Sequence, residues 1–378
     1  MQQRNVKGLR TWIEIDTDRL QQNYQTFRKL VGPEVLLMSV AKSNAYGHSL
    51  VDFAQAMARC GVDWLAVDSI VEGLKLREHH LTVPILVLGH TLPEMVMAAE
   101  MQNISLTISN WEALEDLRVG APDKLKIHLK FDTGMSRQGF FPEETAKVLD
   151  FIKAHLPGVI IEGAYTHFAA AKNPSFPTDT RKQIAQFDLA LAEMAKRNIK
   201  VIRHAAATSG AIVFPESRFD LVRIGIGFYG LWPSIEVKYA FGDKIKLAPI
   251  LTWKTVVSEI KTVPLGERVG YDFTEHLERE TVIGILPVGY WHGYDRSLSS
   301  IGRVLVQGKR CRVLGRVSMD MLAVDLTEVP GVKVGAEVTL LGQDGAVEFS
   351  AEEMASLAET SAYEIITRLN PLIKRVYI

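Results

Sequence analysis

Over roughly the first 230 residues, short β-branched apolar runs alternate with longer amphipathic segments. Leu36–Ala41 reads as a strand, and after a Gly-His loop a helix follows near Leu50–Arg59. Trp64–Val67 leads to a helix over Ile70–His79, Ile85–Leu88 to Pro93–Met101, and Ser105–Ile108 to a helix opening at Asn110, a good N-cap. Lys126–Phe131 precedes Pro142–His155, which has proline in its first turn and two glutamates at its positive end. Val159–Tyr165 precedes the long helix Thr180–Arg197. Val201–His204 precedes a loop and short helix, and Leu221–Ile224 closes the series. Eight strand segments, each but the last followed by a helical one, predict an α/β fold with an N-terminal (β/α)8 TIM-type barrel.

After about Ala248 the pattern changes. Leu251–Val263, Val282–Val288, Arg303–Val306, Cys311–Leu314, Leu322–Leu326 and Glu337–Leu341 read as strands between Gly, Pro and Asp turns, and only Ala351–Thr360 looks strongly helical. The expectation is a barrel domain over 1–247, of which the first ~12 residues can pack with a mainly β C-terminal domain over 248–378.

Composition narrows the partners. Apolar residues make up 47% and the formal net charge is −1, so no broad field recruits nucleic acid or an anionic membrane. The apolar runs are too short to span a bilayer, and the N-terminal MQQRNVKGLRTW lacks a signal-peptide core. Two isolated cysteines, Cys60 and Cys311, read as structural, fit a reducing, cytoplasmic setting and match no metal-site spacing.

In a barrel, chemistry sits where strands end. Strand one ends in Lys42-Ser43-Asn44-Ala45-Tyr46-Gly47-His48, strand five in Lys130 to Arg137, and strand six in Thr166-His167. Strand seven ends in Thr208-Ser209-Gly210 and strand eight in Arg223-Ile224-Gly225-Ile226-Gly227. Lys42, Arg137, His167, Ser209 and Arg223 therefore face one cavity. Lys42 follows a buried run, where desolvation and neighbouring cations would make its amine nucleophilic; a lysine snorkelling from a strand end fits its position equally well. Glycines after strands seven and eight let backbone N–H groups approach an anion, although glycines also serve turns. A buried lysine beside a phosphate cradle is the arrangement that pyridoxal phosphate needs.

The segment Val40 to His48 closely resembles the cofactor-attachment signature of alanine racemases. The resemblance continues through Lys130–Arg137, Thr166-His167, Asp220 to Gly225, Gly289-Tyr290, Gly315 to Asp320 and Tyr363-Glu364, nearly the whole chain. It implies that Lys42 holds pyridoxal 5'-phosphate as an imine and serves as one of two acid/base groups, and that Tyr271 is the other. In the family that tyrosine comes from the partner subunit, so a homodimer with composite sites is implied. Tyr46, Ser209, the Gly225-Ile226 backbone and Tyr363 would hold the phosphate. Arg223 would face the pyridine nitrogen and Arg137 the phenolic oxygen, with Lys130 matching a lysine that many members carry as a carbamate. Arg137 and the Met319-Asp320 pair, the latter from the partner, would meet the substrate carboxylate. Tyr290 and Tyr363 would narrow the entrance. By position alone, Tyr271 reads as a solvated strand tyrosine, His167 fits a core histidine, Lys130 a partner of Asp132, and Met319-Asp320 a turn.

The chemistry fits this assignment. Racemisation removes a proton from one face of a carbon and returns one to the other, so two bases must flank it. A chain Tyr271–His167–Arg223 is expected to stabilise the phenolate, and an arginine that keeps its proton leaves the ring nitrogen a poorer electron sink, which discourages transamination. The implied activity is interconversion of L- and D-alanine, supplying D-alanine for peptidoglycan; the alternative is a serine or broad-specificity racemase of the same fold. An aspartate facing the ring nitrogen would instead suit a decarboxylase, and a non-catalytic carrier of the cofactor would lack the β domain. Thr208, Ser43, Ser49, Gly270, Asp272, His292 and Asn370-Pro371 depart from the usual family residues.

Overall fold

The computed structural model describes residues 6–120 and 122–378. The chain divides into two compact units: one of Arg19–Ala45 with Leu50–Ala248, the other of the residues up to Asp18, Tyr46–Ser49 and Pro249–Ile378.

In the first unit eight parallel strands pair in one ring, from Leu36–Val40 through Trp64–Val67, Ile85–Val87, Ile104–Ile108, Lys126–Lys130, Ile160–Tyr165 and Ile202–His204 to Leu221–Ile224, the last pairing back onto the first. Ala207 bridges Arg223, and the Arg223 amide donates to the Ala206 carbonyl (2.9 Å), which brings the remaining edges together. Four of these strands are buried along their whole length, since helices cover one face and side chains fill the other. The expected barrel is present. Its helices bury one stripe, as Leu50, Phe53, Ala54 and Met57 do in Leu50–Cys60. Asn110 caps its helix through the Ala113 amide, and Pro142 opens a 3-10 turn ahead of Thr145–His155. A helix not read from sequence, Thr17–Val31, buries Leu20, Tyr24, Phe27 and Val31, and Phe27 meets Phe228 edge-on at 5.5 Å.

The second unit is mainly β, as expected. The single strand read over Leu251–Val263 is two, Leu251–Val256 and Glu259–Val263, because the Val257 and Ser258 amides turn to the carbonyls of Ala336 and Ile285. Thr11–Ile15 runs antiparallel to Leu251–Val256 and parallel to Lys374–Tyr377, with Ile13 opposite both Trp253 and Arg375. Two short helices, Ala351–Leu357 and Ala362–Thr367, are capped by Ser350 and Ser361. Asn370, one of the departures, is a turn residue: its side chain donates to the Trp291 carbonyl and accepts from the Leu372 amide. Among the described residues no helix is long and apolar enough to cross a membrane.

Candidate active site

Lys42 leaves the first barrel strand and enters a left-handed turn. Ser43, Asn44 and Ala45 all have φ between 52° and 58°, a conformation that costs a non-glycine residue about 1–2 kcal/mol each. Outside contacts fix this turn. Glu72 Oε1 accepts the amides of Ser43 (2.9 Å) and Asn44 (3.4 Å), and Asn44 Oδ1 accepts the Leu50 amide (2.9 Å). The Lys42 side chain is 40% exposed and its Nζ lies 3.5 Å from Asp68 Oδ1. The burial expected from the strand position is therefore not found: the side chain is partly open to solvent. It stands at the open end of the strand, among cations.

Those cations come from two further strand ends, Lys130 and Arg137 from one and Arg223 from the other. Lys130 is buried, donates to Gln138 Oε1 (2.8 Å), and is held down to about 8 by burial, then by Arg137, Arg223 and Lys42, against Asp132. Asp132 is not its ion-pair partner in any direct contact. Its carboxylate accepts the amides of Gly134, Met135, Ser136 and Arg137, which folds the loop that carries Arg137. Gly139 completes that loop: it has φ +139°, and a Cβ there would sit 2.3 Å from the Asp132 nitrogen. His167 is pushed to about 3 by burial and by Arg223, Arg137, Lys130 and Lys42. Four cations around one neutral imidazole form a site that calls for anions.

Arg223 is fixed from below. Its Nη2 donates to the carbonyls of Thr166 and Ala205 (2.8 Å each) and reaches His167 Nδ1 at 3.3 Å, while Nη1 donates to His204 Nδ1 (2.9 Å). The Arg223–His167 leg of the expected chain is thus in place. Burial lowers Arg223 only to about 10, so it keeps its proton near neutrality. The guanidinium fixes the tautomers beyond it: His204 Nδ1 accepts, so its Nε2–H donates to His128 Nδ1 (2.8 Å), and His128 Nε2–H donates to Glu162 Oε2 (3.4 Å). Burial holds His128 below its ordinary value, so its contact with Glu162 is a hydrogen bond donated by a neutral ring rather than an ion pair. Gly163 makes room for this, since a Cβ there would lie 2.2 Å from His128 Nδ1. This file of Glu162, His128 and His204 was missed in the sequence. The signal was the polar residue at every second position of Lys126-Ile127-His128-Leu129-Lys130, which is the inward side of a barrel strand.

Three histidines kept neutral by burial make stability depend on pH. His128, His167 and His204 all sit below their unfolded value, so the unfolded chain binds more protons than the native one. Stability is therefore lost as pH falls below about 6.5, by up to about 1.4 kcal/mol per pH unit for each histidine. Melting of the cofactor-free protein between pH 7.5 and 5 reads this directly, and a flat midpoint across that window would refute it.

After strands seven and eight, Thr208 Oγ1 accepts the amides of Gly225 (3.2 Å) and Gly227 (3.3 Å). The departure at Thr208 thus leaves a side chain that shapes the loop beside Ser209. Gly227 serves packing, because a Cβ there would lie 2.4 Å from the Phe27 ring.

The second unit presents Tyr271 in a short turn after Gly270 (φ +80°), at the wall of an open cavity of ≈ 600 Å³ also lined by Arg316, Ser318 and Met321. Tyr271 is 69% exposed, and Phe273, Met319, Met321 and Trp291 are each more than half exposed. Tyr290 is exposed as well. His292 accepts the Gly289 amide on Nδ1 (3.2 Å) and lies 4.0 Å from Asp320, so this departure organises the Gly289-Tyr290 turn as an acceptor, not as Asp320's ion-pair partner. Tyr46 and Tyr363 face each other with ring centres 6.1 Å apart, and burial pushes both hydroxyls up, Tyr46 to about 12.

Comparison with known proteins completes the picture. Residues 15–233 match the N-terminal domain family of alanine racemases and residues 250–377 the C-terminal one. An alanine racemase of Symbiobacterium thermophilum is 38% identical over 380 residues, covering 99% of this chain and 98% of its own. One of Desulforamulus reducens is 38% identical, covering 97% and 98%. A crystal structure of the Bacillus anthracis alanine racemase with bound L-Ala-P superposes with a TM-score of 0.92 at 33% identity, covering 98% of this chain and 95% of that one. With both domain families matched in order and relatives aligned from end to end, the chain belongs to the alanine racemase family.

Proposed function

We propose that this protein interconverts L- and D-alanine, using pyridoxal 5'-phosphate carried on Lys42. The observation that carries this reading is the ring of Lys42, Lys130, Arg137 and Arg223 around a neutral His167, charges that suit a phosphate and a substrate carboxylate. Bound pyridoxal phosphate would supply the electron sink that makes an α-proton acidic.

The chain's own groups do the rest. Ser209 and the Gly225-Ile226 backbone, with Tyr46 and Tyr363, are the groups to hold the phosphate, and Arg137 the phenolic oxygen. Arg223 keeps its own proton, so it would give none to a ring nitrogen facing it and would limit the electron withdrawal that the bound group supplies. Lys42 Nζ takes or returns the proton on one face and the Tyr271 hydroxyl on the other. Lys130, held near 8, has a neutral fraction able to take up carbon dioxide as a carbamate. The exposed aromatic and methionine residues around Tyr271 suit a homodimer interface in which Tyr271, Met319 and Asp320 serve the partner's site. Unpaired Cys60 and Cys311 suit a cytoplasmic enzyme feeding D-alanine to peptidoglycan.

The L-Ala-P bound to the Bacillus anthracis relative favours alanine over larger amino acids. Purified protein loaded with pyridoxal phosphate is expected to form D-alanine from L-alanine, with serine and lysine turned over far more slowly. Equal rates on all three would establish the broad-specificity alternative, and none on alanine would end the proposal.

A further inference from the structure

From the backbone around Lys42 we infer that Glu72 is a positioning residue for that lysine, a clamp whose carboxylate holds the attachment turn in its left-handed shape. The inference rests on the reading of Lys42 as the cofactor's anchor. One carboxylate here receives four amides from two segments. Oε1 takes those of Ser43 (2.9 Å) and Asn44 (3.4 Å), and Oε2 takes those of Asp68 (2.9 Å) and Ser69 (3.3 Å). The helix Ile70–Glu78 supplies the base, since the Ser69 side chain accepts the Glu72 amide in a capping box. An ordinary capping glutamate spends itself on its own helix start. Glu72 does this with one oxygen only, and the other reaches 29 positions back along the chain.

The need for such a clamp follows from the turn. Ser43, Asn44 and Ala45 are L residues in a conformation that glycine alone adopts freely, and for L residues the right-handed form is the lower in energy. Their amides point together because the turn is left-handed, and a carboxylate is the acceptor that rewards this alignment. Relaxation of the turn would rotate the Cα–Cβ bond of Lys42 and carry its amine away from Asp68 and from the Arg137, Arg223 and Lys130 group. Glu72 thereby sets where the amine is, without touching cofactor or substrate.

Glu72→Gln keeps the shape of the side chain but turns an N–H toward one pair of amides. In the cofactor-free protein, hydrogen exchange at Ser43 and Asn44 is expected to accelerate about tenfold or more, while melting shifts little. Attachment of pyridoxal phosphate, followed by absorbance and by borohydride trapping on the Lys42 peptide, is expected to slow by about the same factor. With cofactor loaded, kcat should fall about tenfold with KM for alanine within about twofold, since the reacting groups and not substrate capture are displaced. Ser69→Ala weakens the same helix start and is expected to leave exchange at Ser43 and Asn44 unchanged. Ser43→Gly placed on Glu72→Gln should restore attachment, because glycine removes the cost that the clamp offsets.

Unchanged exchange in Glu72→Gln, an equal effect of Ser69→Ala, or no rescue by Ser43→Gly would each overturn the clamp. A borohydride tag on another lysine would overturn the Lys42 reading instead, and the exchange measurement would still decide the role of Glu72.

Discussion

Replacing Lys42 by alanine is expected to abolish both the absorbance of lysine-bound cofactor and racemisation, in either direction and at any cofactor concentration. The loss should be on the order of 10³-fold or more, because on the proposed mechanism one substitution removes the anchor and one of the two proton-transfer groups together. The fold has little reason to respond. Lys42 is 40% exposed and its direct polar partner is the still more exposed Asp68, a surface ion pair worth at most about 1 kcal/mol. Melting and circular dichroism should therefore match the parent protein. Lys42→Arg separates two explanations: it keeps a cation in the group with Lys130, Arg137 and Arg223 but offers no amine for attachment, so it should fail as completely as alanine. Full turnover by either variant would remove Lys42 from the mechanism.

Tyr271→Ala is expected to leave cofactor bound and to distinguish the enantiomers. Abstraction from L-alanine should fall by about two to four orders of magnitude, the range for a lost general base, while exchange of the D-alanine α-proton through Lys42 suffers far less. Deuterium exchange from solvent into each enantiomer reads the two faces separately, and equal losses would count against two opposed bases. The folding cost is small, as the ring is 69% exposed at the rim of an open cavity. The two inactive variants also test each other. If Tyr271 serves the partner's lysine, mixing Lys42→Ala with Tyr271→Ala protomers regenerates one intact site in each mixed dimer, about a quarter of all sites after random reassociation. A mixture as dead as its components would place both residues in the same subunit's site.

The barrel is legible because short β-branched runs alternate with longer amphipathic segments, a contrast that eight repetitions make hard to miss. Thr17–Val31 was not read, although Leu20, Tyr24, Phe27 and Val31 recur at helical spacing, because it lies ahead of the first repeat and its intervening residues are strongly polar. Leu251–Val263 looked like one strand because nothing in its composition marks Val257 and Ser258. The turn there is set by the carbonyls of Ala336 and Ile285, which are remote in sequence. The strand-end positions of Lys42, Lys130, His167 and Arg223 could be read from the pattern, whereas the roles proposed for them rest on the family resemblance. What escaped was the support. Glu72 looks like any helix-capping glutamate, and nothing local shows that its second oxygen belongs to the lysine turn. The file from Arg223 through His204 and His128 to Glu162 needs four strands to be brought into one ring before it exists.

The strand Thr11–Ile15 lies between Leu251–Val256 and Lys374–Tyr377, and Thr17 donates its amide (2.9 Å) and hydroxyl (2.7 Å) to the Ile378 carbonyl across 361 positions. Segments translated far apart in time are thus seated against each other. Barrel segments can condense while synthesis continues, but this sheet stays open-edged until Lys374–Tyr377 has been made, so Thr11–Ile15 emerges as an unpaired strand in need of shelter. A ribosome stalled shortly before Lys374 would carry a barrel whose eight strands are all made, attached to a sheet it could not close.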